Sequence, residues 1–314
     1  MAPVLAEVGS SRPLVAASRR WDELDLGIDE AAPRWTEVPT DQIPAAAEAA
    51  GSRDAVLPVG GGSAIDLAKA ISAETGLPVV SVPTTYAGAE WTPYFGVRDP
   101  QRRMHGGGSG AQLAGIVYEP RLTLELPRAP TVGTSLNALA HCAEALYVRG
   151  RNDEADAHAL AGARLIGTWL PRVVEEPGDL EARTELLRGA SEAGEALAGS
   201  MLALGHAMAQ AIGGRYGLPH GALNAICLPA ALRFNEPVAR EALRKLGGAL
   251  GTDDPVSRVE ELARLGGFER LRDLGVPLED LDELAELTAA RTGARANPRP
   301  APPPVIAELM RSVW

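Results

Sequence analysis

The chain predicts an α/β domain followed by an all-helical one. Three observations carry that expectation. From Arg12 to Val82, short apolar runs alternate with helix-compatible stretches over short links, the pattern of a parallel sheet covered by helices. From Thr131 onward the chain reads as mostly helix. Between the two, Leu126-Pro127 and Pro130 interrupt the pattern, so the domains are expected at 1–128 and 129–314.

The elements follow in order. RPLVAAS at Arg12–Ser18 is an apolar run suited to a buried parallel strand, and Arg19 and Arg20 follow it. DQIPAAAEAA at Asp41–Ala50 is a short helix starting near Pro44, and AVLPV at Ala55–Val59 is a second buried strand. That strand runs through Gly60-Gly61-Gly62-Ser63 into a helix over Ala64–Thr75, and VVSV at Val79–Val82 is a third strand. Pro83–Gly115 is rich in Thr, Gly and Arg and reads as loops or a hairpin, with GIVY at Gly115–Tyr118 as a further strand. Helices are expected at Ser135–Val148, Glu154–Leu170, Asp179–Ala190, Glu192–Ile212, Glu236–Leu250, Val256–Leu265 and Leu278–Arg291. A Pro-rich loop from Asn297 leads into a terminal helix, because proline cannot continue the preceding one.

Composition removes several classes of function. A formal net charge of -11 and 46% hydrophobic residues over 314 positions describe an acidic chain with ample core, a poor match for a phosphate backbone, so no nucleic-acid partner is expected. No apolar run approaches the ~20 residues of a membrane helix, and the N-terminus lacks a basic start followed by an apolar run. The two cysteines, Cys142 and Cys227, form no framework. A cytoplasmic location with no membrane partner is the expectation.

Two places carry chemistry. In VLPVGGGSAIDLAKA a strand meets a helix across three glycines. Glycine lets backbone approach a ligand, and the helix N-terminus offers N–H groups and partial positive charge to an anion. Ser63 is placed to add a hydroxyl or to cap that helix, and Asp66 to sit in its first turn. A bare strand-to-helix turn is the alternative, and the flanking strand and helix favour a phosphate cradle. The second place is a histidine constellation. Asn137 and His141 in NALAH are four apart and share a helical face, and His206 and Gln210 repeat that spacing. His220 follows Pro219 and is expected in a loop. A lone histidine on an apolar helix is usually a satisfied core residue, but three from separate places make a metal or polar catalytic cluster a real candidate. His105, in the glycine-rich loop, and His158, on a surface helix, carry no such expectation.

Taken together these residues resemble the iron-containing alcohol dehydrogenase superfamily, in its maleylacetate reductase branch. GGGSAIDLAKA resembles the family's pyrophosphate turn, and PTTYAGAEWTP at Pro83–Pro93 the loop beside nicotinamide and substrate. VYEPRLTLELP at Val117–Pro127, SLNALAHCAEALY at Ser135–Tyr147, GHAMAQAIGGRYGLPHGALNAICLP at Gly205–Pro229 and NPRP at Asn297–Pro300 match in order along nearly the whole chain. The resemblance implies a Rossmann-like N-terminal domain, an all-α C-terminal domain, an active site in the cleft between them and, commonly, a homodimer. It implies hydride transfer between NAD(P) and a small-molecule substrate. Asn137, His141, His206 and His220 fall on the four metal-ligand positions, with iron or zinc as the implied ion. Gln210 falls where the family often has a histidine, and Gly60, Gly61, Gly62, Ser63, Thr84 and Thr85 fall on cofactor contacts.

The departures from the family pattern also inform. Asn137 replaces an aspartate, and a neutral amide weakens a divalent site, so a metal is in doubt. Gln210 cannot exchange a proton, which leaves Tyr86, His206 or water as donor. The family usually has more chain before the strand at Arg12. Where NAD-preferring members carry an acidic residue after the first strand, this chain has Ser18-Arg19-Arg20. Arginines there suit a 2′-phosphate, so NADP(H) is expected over NAD(H). Arg102 and Arg103 are placed to steer a carboxylated substrate. The leading function is a maleylacetate-type reductase. A metal-dependent alcohol dehydrogenase or aldehyde reductase is the second reading, and a protein that keeps the fold with changed chemistry the third.

Overall fold

The computed structural model describes residues 1–28 and 32–314, and the chain divides into two units. The first comprises Met1–Thr85 and Ala89–Thr123; the second comprises Tyr86–Gly88 and Leu124–Trp314.

The first unit is built on a five-stranded parallel sheet. Its strands are β1 (Leu14–Ala17), β2 (Arg34–Trp35), β3 (Val56–Gly60), β4 (Pro78–Pro83) and β7 (Gln112–Ile116), in the order β2-β1-β3-β4-β7. Side chains alternate across each strand, so one face presents Leu14, Ala16, Val56 and Val79, and the other Val15, Ala17, Leu57, Val59, Val80 and Val82. Helices α2 (Ile43–Ala50) and α3 (Gly62–Thr75) cover the first face through Ala46, Ala50, Leu67 and Ile71. Leu5 of α1 (Ala2–Glu7), with Leu26, covers the second. Both faces are dry, which is why these strands read as unbroken apolar runs. The Thr-, Gly- and Arg-rich region holds the antiparallel hairpin β5 (Phe95–Arg98) and β6 (Met104–Gly108).

Three expectations here need correction. The last strand lies at Gln112–Ile116 rather than Gly115–Tyr118, and its polar, exposed start hid it; Val117 adds one more bond to the ladder through Ser81 O. Strand β2, paired to β1 through Val15 and Ala16, is too short to show as an apolar run. Helix α3 begins within the glycine run, with Gly61 as its N-cap and no side-chain cap. Ser63 is therefore helical rather than a cap, and Asp66 lies beyond the first turn.

The second unit is helical: α4 (Arg128–Ala145), α5 (Asp153–Glu175), α6 (Leu180–Ala198), α7 (Leu204–Tyr216), α8 (His220–Leu250), α9 (Pro255–Arg264), α10 (Leu281–Ala289), α11 (Thr292–Ala296) and α12 (Pro303–Ser312). The prolines that read as a break are a helix start: Pro127 is the N-cap of α4 and Pro130 sits in its first turn, where a missing N–H costs nothing. The expected break near Ala190 is absent; α6 continues to Ala198, and the real break is at 199–203. His220 is the first residue of α8 rather than a loop residue. That helix runs 31 residues through Pro229 and Pro237 to Leu250, with one non-helical residue, Ala239, where Pro237 bends it. The core packs Leu204, Met208 and Ile212 of α7 with Leu223, Ile226 and Phe234 of α8, Leu281 and Leu284 of α10 and Ile306 and Met310 of α12.

Helices α4 and α8 touch through glycine. A Cβ added at Gly221 would lie 2.4 Å from the backbone of Gly133, so only glycine admits this crossing. The NPRP turn is anchored by a reciprocal amide pair: Asn235 Nδ2 donates to Asn297 Oδ1 at 2.9 Å, and Asn297 Nδ2 donates back at 2.8 Å. Arg299 then donates to Phe234 O and lies over its ring.

Candidate active site

Two sites emerge, each within one unit. In the first unit, β3 ends at Gly60 and α3 begins at Gly62. A Cβ at Gly60 would come within 2.8 Å of Ala64 Cβ, and one at Gly61 within 2.8 Å of Thr85 Cγ2. Helix and loop thus press on the turn, and these two glycines are required for that. Gly62 is different: its nearest neighbour would be Ala89 Cβ at 4.0 Å. The turn is open on that side, beside an uncapped helix N-terminus. Thr84 is buried and its N–H donates to Gly60 O. Asp66 and Lys69 serve the neighbouring loop: Lys69 Nζ donates to Ala89 O at 2.8 Å and to Tyr94 O, and pairs with Asp66 at 3.1 Å, while Asp66 accepts from Gly96 N. Ser18, Arg19 and Arg20 follow β1, with Arg19 and Arg20 exposed and the Arg20 guanidinium over the Trp21 ring.

In the second unit, the expected histidines do converge. His141 stacks on His206 with centroids 4.7 Å apart and planes inclined 16°, and His206 lies 5.8 Å from His220. His141 (α4) and His206 (α7) are buried. Burial, reinforced by the two neighbouring rings, holds the His141 pKa well below the ordinary histidine value, so this ring is neutral.

The hydrogen bonds fix the chemistry of each ring. Asn137 Nδ2 donates to Ala87 O at 2.9 Å, which orients the amide, because a carbonyl only accepts. The same nitrogen faces His141 Nε2 at 3.4 Å. Asn137 Oδ1 accepts from Asn224 Nδ2 at 2.6 Å, and that nitrogen also faces His220 Nε2 at 3.0 Å. Each amide therefore presents N–H to an imidazole lone pair. His206 is arranged otherwise. Its Nδ1 contacts Glu144 Oε2 at 2.8 Å, and its Nε2 is buried with no partner among the described residues.

Sequence reasoning missed Asn224 and Glu144, although the signal existed. Asn224 stands four after His220 in HGALN, the mirror of NALAH, and Glu144 continues the Asn137–His141 face of α4.

These residues do not fit a divalent ion as arranged. An imidazole binds a metal with a lone pair in its ring plane, about 2.0–2.1 Å away, and the nearly parallel planes of His141 and His206 do not meet at such a point. The His141 and His220 Nε2 atoms face amide N–H groups, and the Asn137 oxygen is engaged by Asn224. No group of three His, Cys, Asp or Glu among the described residues is placed to hold an ion.

Other expected residues lie elsewhere. Tyr86 is 0% exposed and its hydroxyl accepts from Arg183 Nη1 at 3.2 Å. Gln210 is half-buried on α7, one turn after His206. Arg103 is paired with Asp99 at 2.8 Å, and Arg102 occupies a left-handed turn position with φ 68°. His105 lies in β6 rather than a loop and faces Asp99. His158 bridges to Glu192 at 2.7 Å and is only half exposed, and that bond raises its pKa.

Comparison with known proteins gives the family. The family model described as "Iron-containing alcohol dehydrogenase" matches residues 12–114. The model of the "Fe-containing alcohol dehydrogenase family, C-terminal" matches 131–314. A maleylacetate reductase of Burkholderia cepacia is 37% identical over 82% of this chain and 72% of its own length. One from Rhizobium sp. (strain MTP-10005) is 34% identical over 100% of this chain and 91% of its own. The crystal structure of maleylacetate reductase from Agrobacterium tumefaciens superposes with a TM-score of 0.89 at 31% identity, over 100% of this chain and 92% of that one. The chain belongs to the iron-containing alcohol dehydrogenase family. Within it, the chain is an oxidoreductase, a reductase of the maleylacetate reductase type, and that family implies a nicotinamide dinucleotide. No helix among the described residues is long and apolar enough to cross a membrane.

Proposed function

We propose that this protein reduces maleylacetate, or a closely similar unsaturated keto acid, with NADPH. The observation that carries the reading is the convergence of three imidazoles, one with an open Nε2, in a chain whose relatives bear the name maleylacetate reductase. Bound NADPH would supply a hydride to the electron-poor alkene carbon of the acid. The electron pair moves to the conjugated carbonyl oxygen, and a proton then completes the product. The open N-terminus of α3 suits the cofactor pyrophosphate, with Gly60, Gly61, Gly62, Ser63, Thr84 and Thr85 around it. Arg19 and Arg20 suit a 2′-phosphate. His206 Nε2, buried and unengaged, is the atom suited to exchange a proton with substrate or a bound water. His141 and His220 flank it as polar neighbours. The substrate is a small carboxylated molecule, and the working assembly is a homodimer in the cytoplasm.

Fluorescence titration tests the cofactor assignment. The protein is expected to bind NADPH more tightly than NADH. Replacing Arg19 and Arg20 with Ala is expected to raise the NADPH dissociation constant about tenfold or more, as loss of a charge-assisted pair of about 1.5–3 kcal/mol requires, and to leave NADH nearly unchanged. Equal changes for both cofactors would remove the arginine pair from the account.

A further inference from the structure

We infer that Glu144 is a positioning residue for the reaction: it holds the ring proton of His206 on Nδ1, which makes Nε2 the atom that meets substrate or water. The inference rests on the reading of His206 given above and deepens it.

The carboxylate is fully buried and sits where the chain of α7 begins. Three donors converge on it: Ala203 N at 2.6 Å and His206 Nδ1 at 2.8 Å on Oε2, and His206 N at 3.2 Å on Oε1. Helix α7 has no cap of its own, since Ala203 stands at the N-cap position. Glu144, coming from α4, supplies that cap across the fold, and the α7 dipole in turn favours its charge. Both carboxylate oxygens already accept backbone N–H groups, so the ring nitrogen facing Oε2 is placed to donate and carries the proton. The opposite nitrogen, Nε2, then carries the lone pair, and it is the one buried and without a partner.

The chain is shaped for this contact. A Cβ at Gly205 would lie 2.9 Å from Glu144 Oε1, so the glycine between Leu204 and His206 is what admits the carboxylate. The other two rings contrast with this. Their Nε2 atoms face the amides of Asn137 and Asn224. His206 is thus held from behind by a carboxylate with its far nitrogen unengaged, the geometry that fixes a tautomer.

The direct test is nitrogen-15 NMR of the histidine-labelled protein with bound NADP, with the His206 signal assigned by the His206→Gln variant. The expected spectrum shows a pyrrole-type Nδ1 and a pyridine-type Nε2 for His206. A protonated Nε2 with a bare Nδ1 would overturn the inference, with no variant of Glu144 required. Kinetics supply the second arm. Glu144→Gln keeps the shape and one accepting oxygen for the backbone N–H donors but offers an amide that tolerates either tautomer. It is expected to lower kcat about 10–100-fold, the usual effect of removing a group that orients a functional histidine, to leave NADPH binding unchanged, and to give a mixed His206 tautomer. Glu144→Asp, which restores the charge, is expected to recover a single tautomer. Wild-type kcat in Glu144→Gln would overturn the inference even if the family reaction holds. Absence of activity in the wild type would instead remove the proposed substrate, and the tautomer measurement would still decide the role of Glu144.

Discussion

At the residue scale, the site is decided by which nitrogen of each ring is engaged. Asn137 is the hinge of the arrangement. With an aspartate there, the group would accept only; as an amide it donates to Ala87 O and turns an N–H toward His141. His206→Ala is expected to lower kcat by about 10²- to 10⁴-fold, the span of general acid–base contributions, with NADPH binding retained; an unchanged kcat would show that another group moves the proton. His141 gives a second prediction. Its pKa is held below the unfolded value, so the unfolded chain binds the extra proton. Stability is therefore full above pH ~6.5, the ordinary histidine value, and falls as pH drops below it. His158 works in the opposite sense because its pKa is raised, giving stability at low pH that is lost as pH rises through its folded value. Thermal melts from pH 8 to pH 5 are expected to show a smaller acid loss in His141→Gln than in the wild type. An identical slope would mean that this ring is charged in the folded protein.

At the element scale, the sequence displayed periodicity and hid boundaries. The apolar strands Leu14–Ala17 and Val56–Gly60 were legible because both faces of the sheet are covered. Strand Gln112–Ile116 was not, because its outer end is exposed and polar. Prolines misled at one place. Pro127 and Pro130 read as a break and begin α4, while Pro229 and Pro237 lie inside α8. The candidate site was legible as far as its histidines, since the i, i+4 spacing survives any shift of the helix ends. Glu144 and Asn224 were missed because their role depends on which helices meet, and that is set by contacts such as Gly133 against Gly221. Gly221→Ala is expected to push α8 from α4 and to cost about 1–3 kcal/mol, the usual range for overpacking, together with a loss of kcat as His220 moves. Chemical denaturation and steady-state kinetics of the same sample check both. Asn297→Ala leaves Asn235 without its partner and is expected to cost about 1–3 kcal/mol of stability with kcat unaltered, because the NPRP turn is an anchor.

At the scale of the whole molecule, two units supply distinct parts of the chemistry: a turn at a helix N-terminus in one, and a polar network of imidazoles and amides in the other. Family membership supplies the reaction type, and we propose from the arrangement of these residues that the chain performs it without a bound ion. Exhaustive dialysis against a chelator is therefore expected to leave kcat/KM unchanged, and recovery of activity only on adding iron or zinc would reverse that conclusion. The central claim is hydride transfer from NADPH to a maleylacetate-type acid. Its most direct test is reaction with NADPH deuterated at nicotinamide C4, followed by mass spectrometry of the product. The account predicts one deuterium in the reduced acid, bound to carbon, with NADP formed in equal amount. Turnover without deuterium at carbon from either face of the label, or no turnover in a protein that binds NADPH, would contradict it.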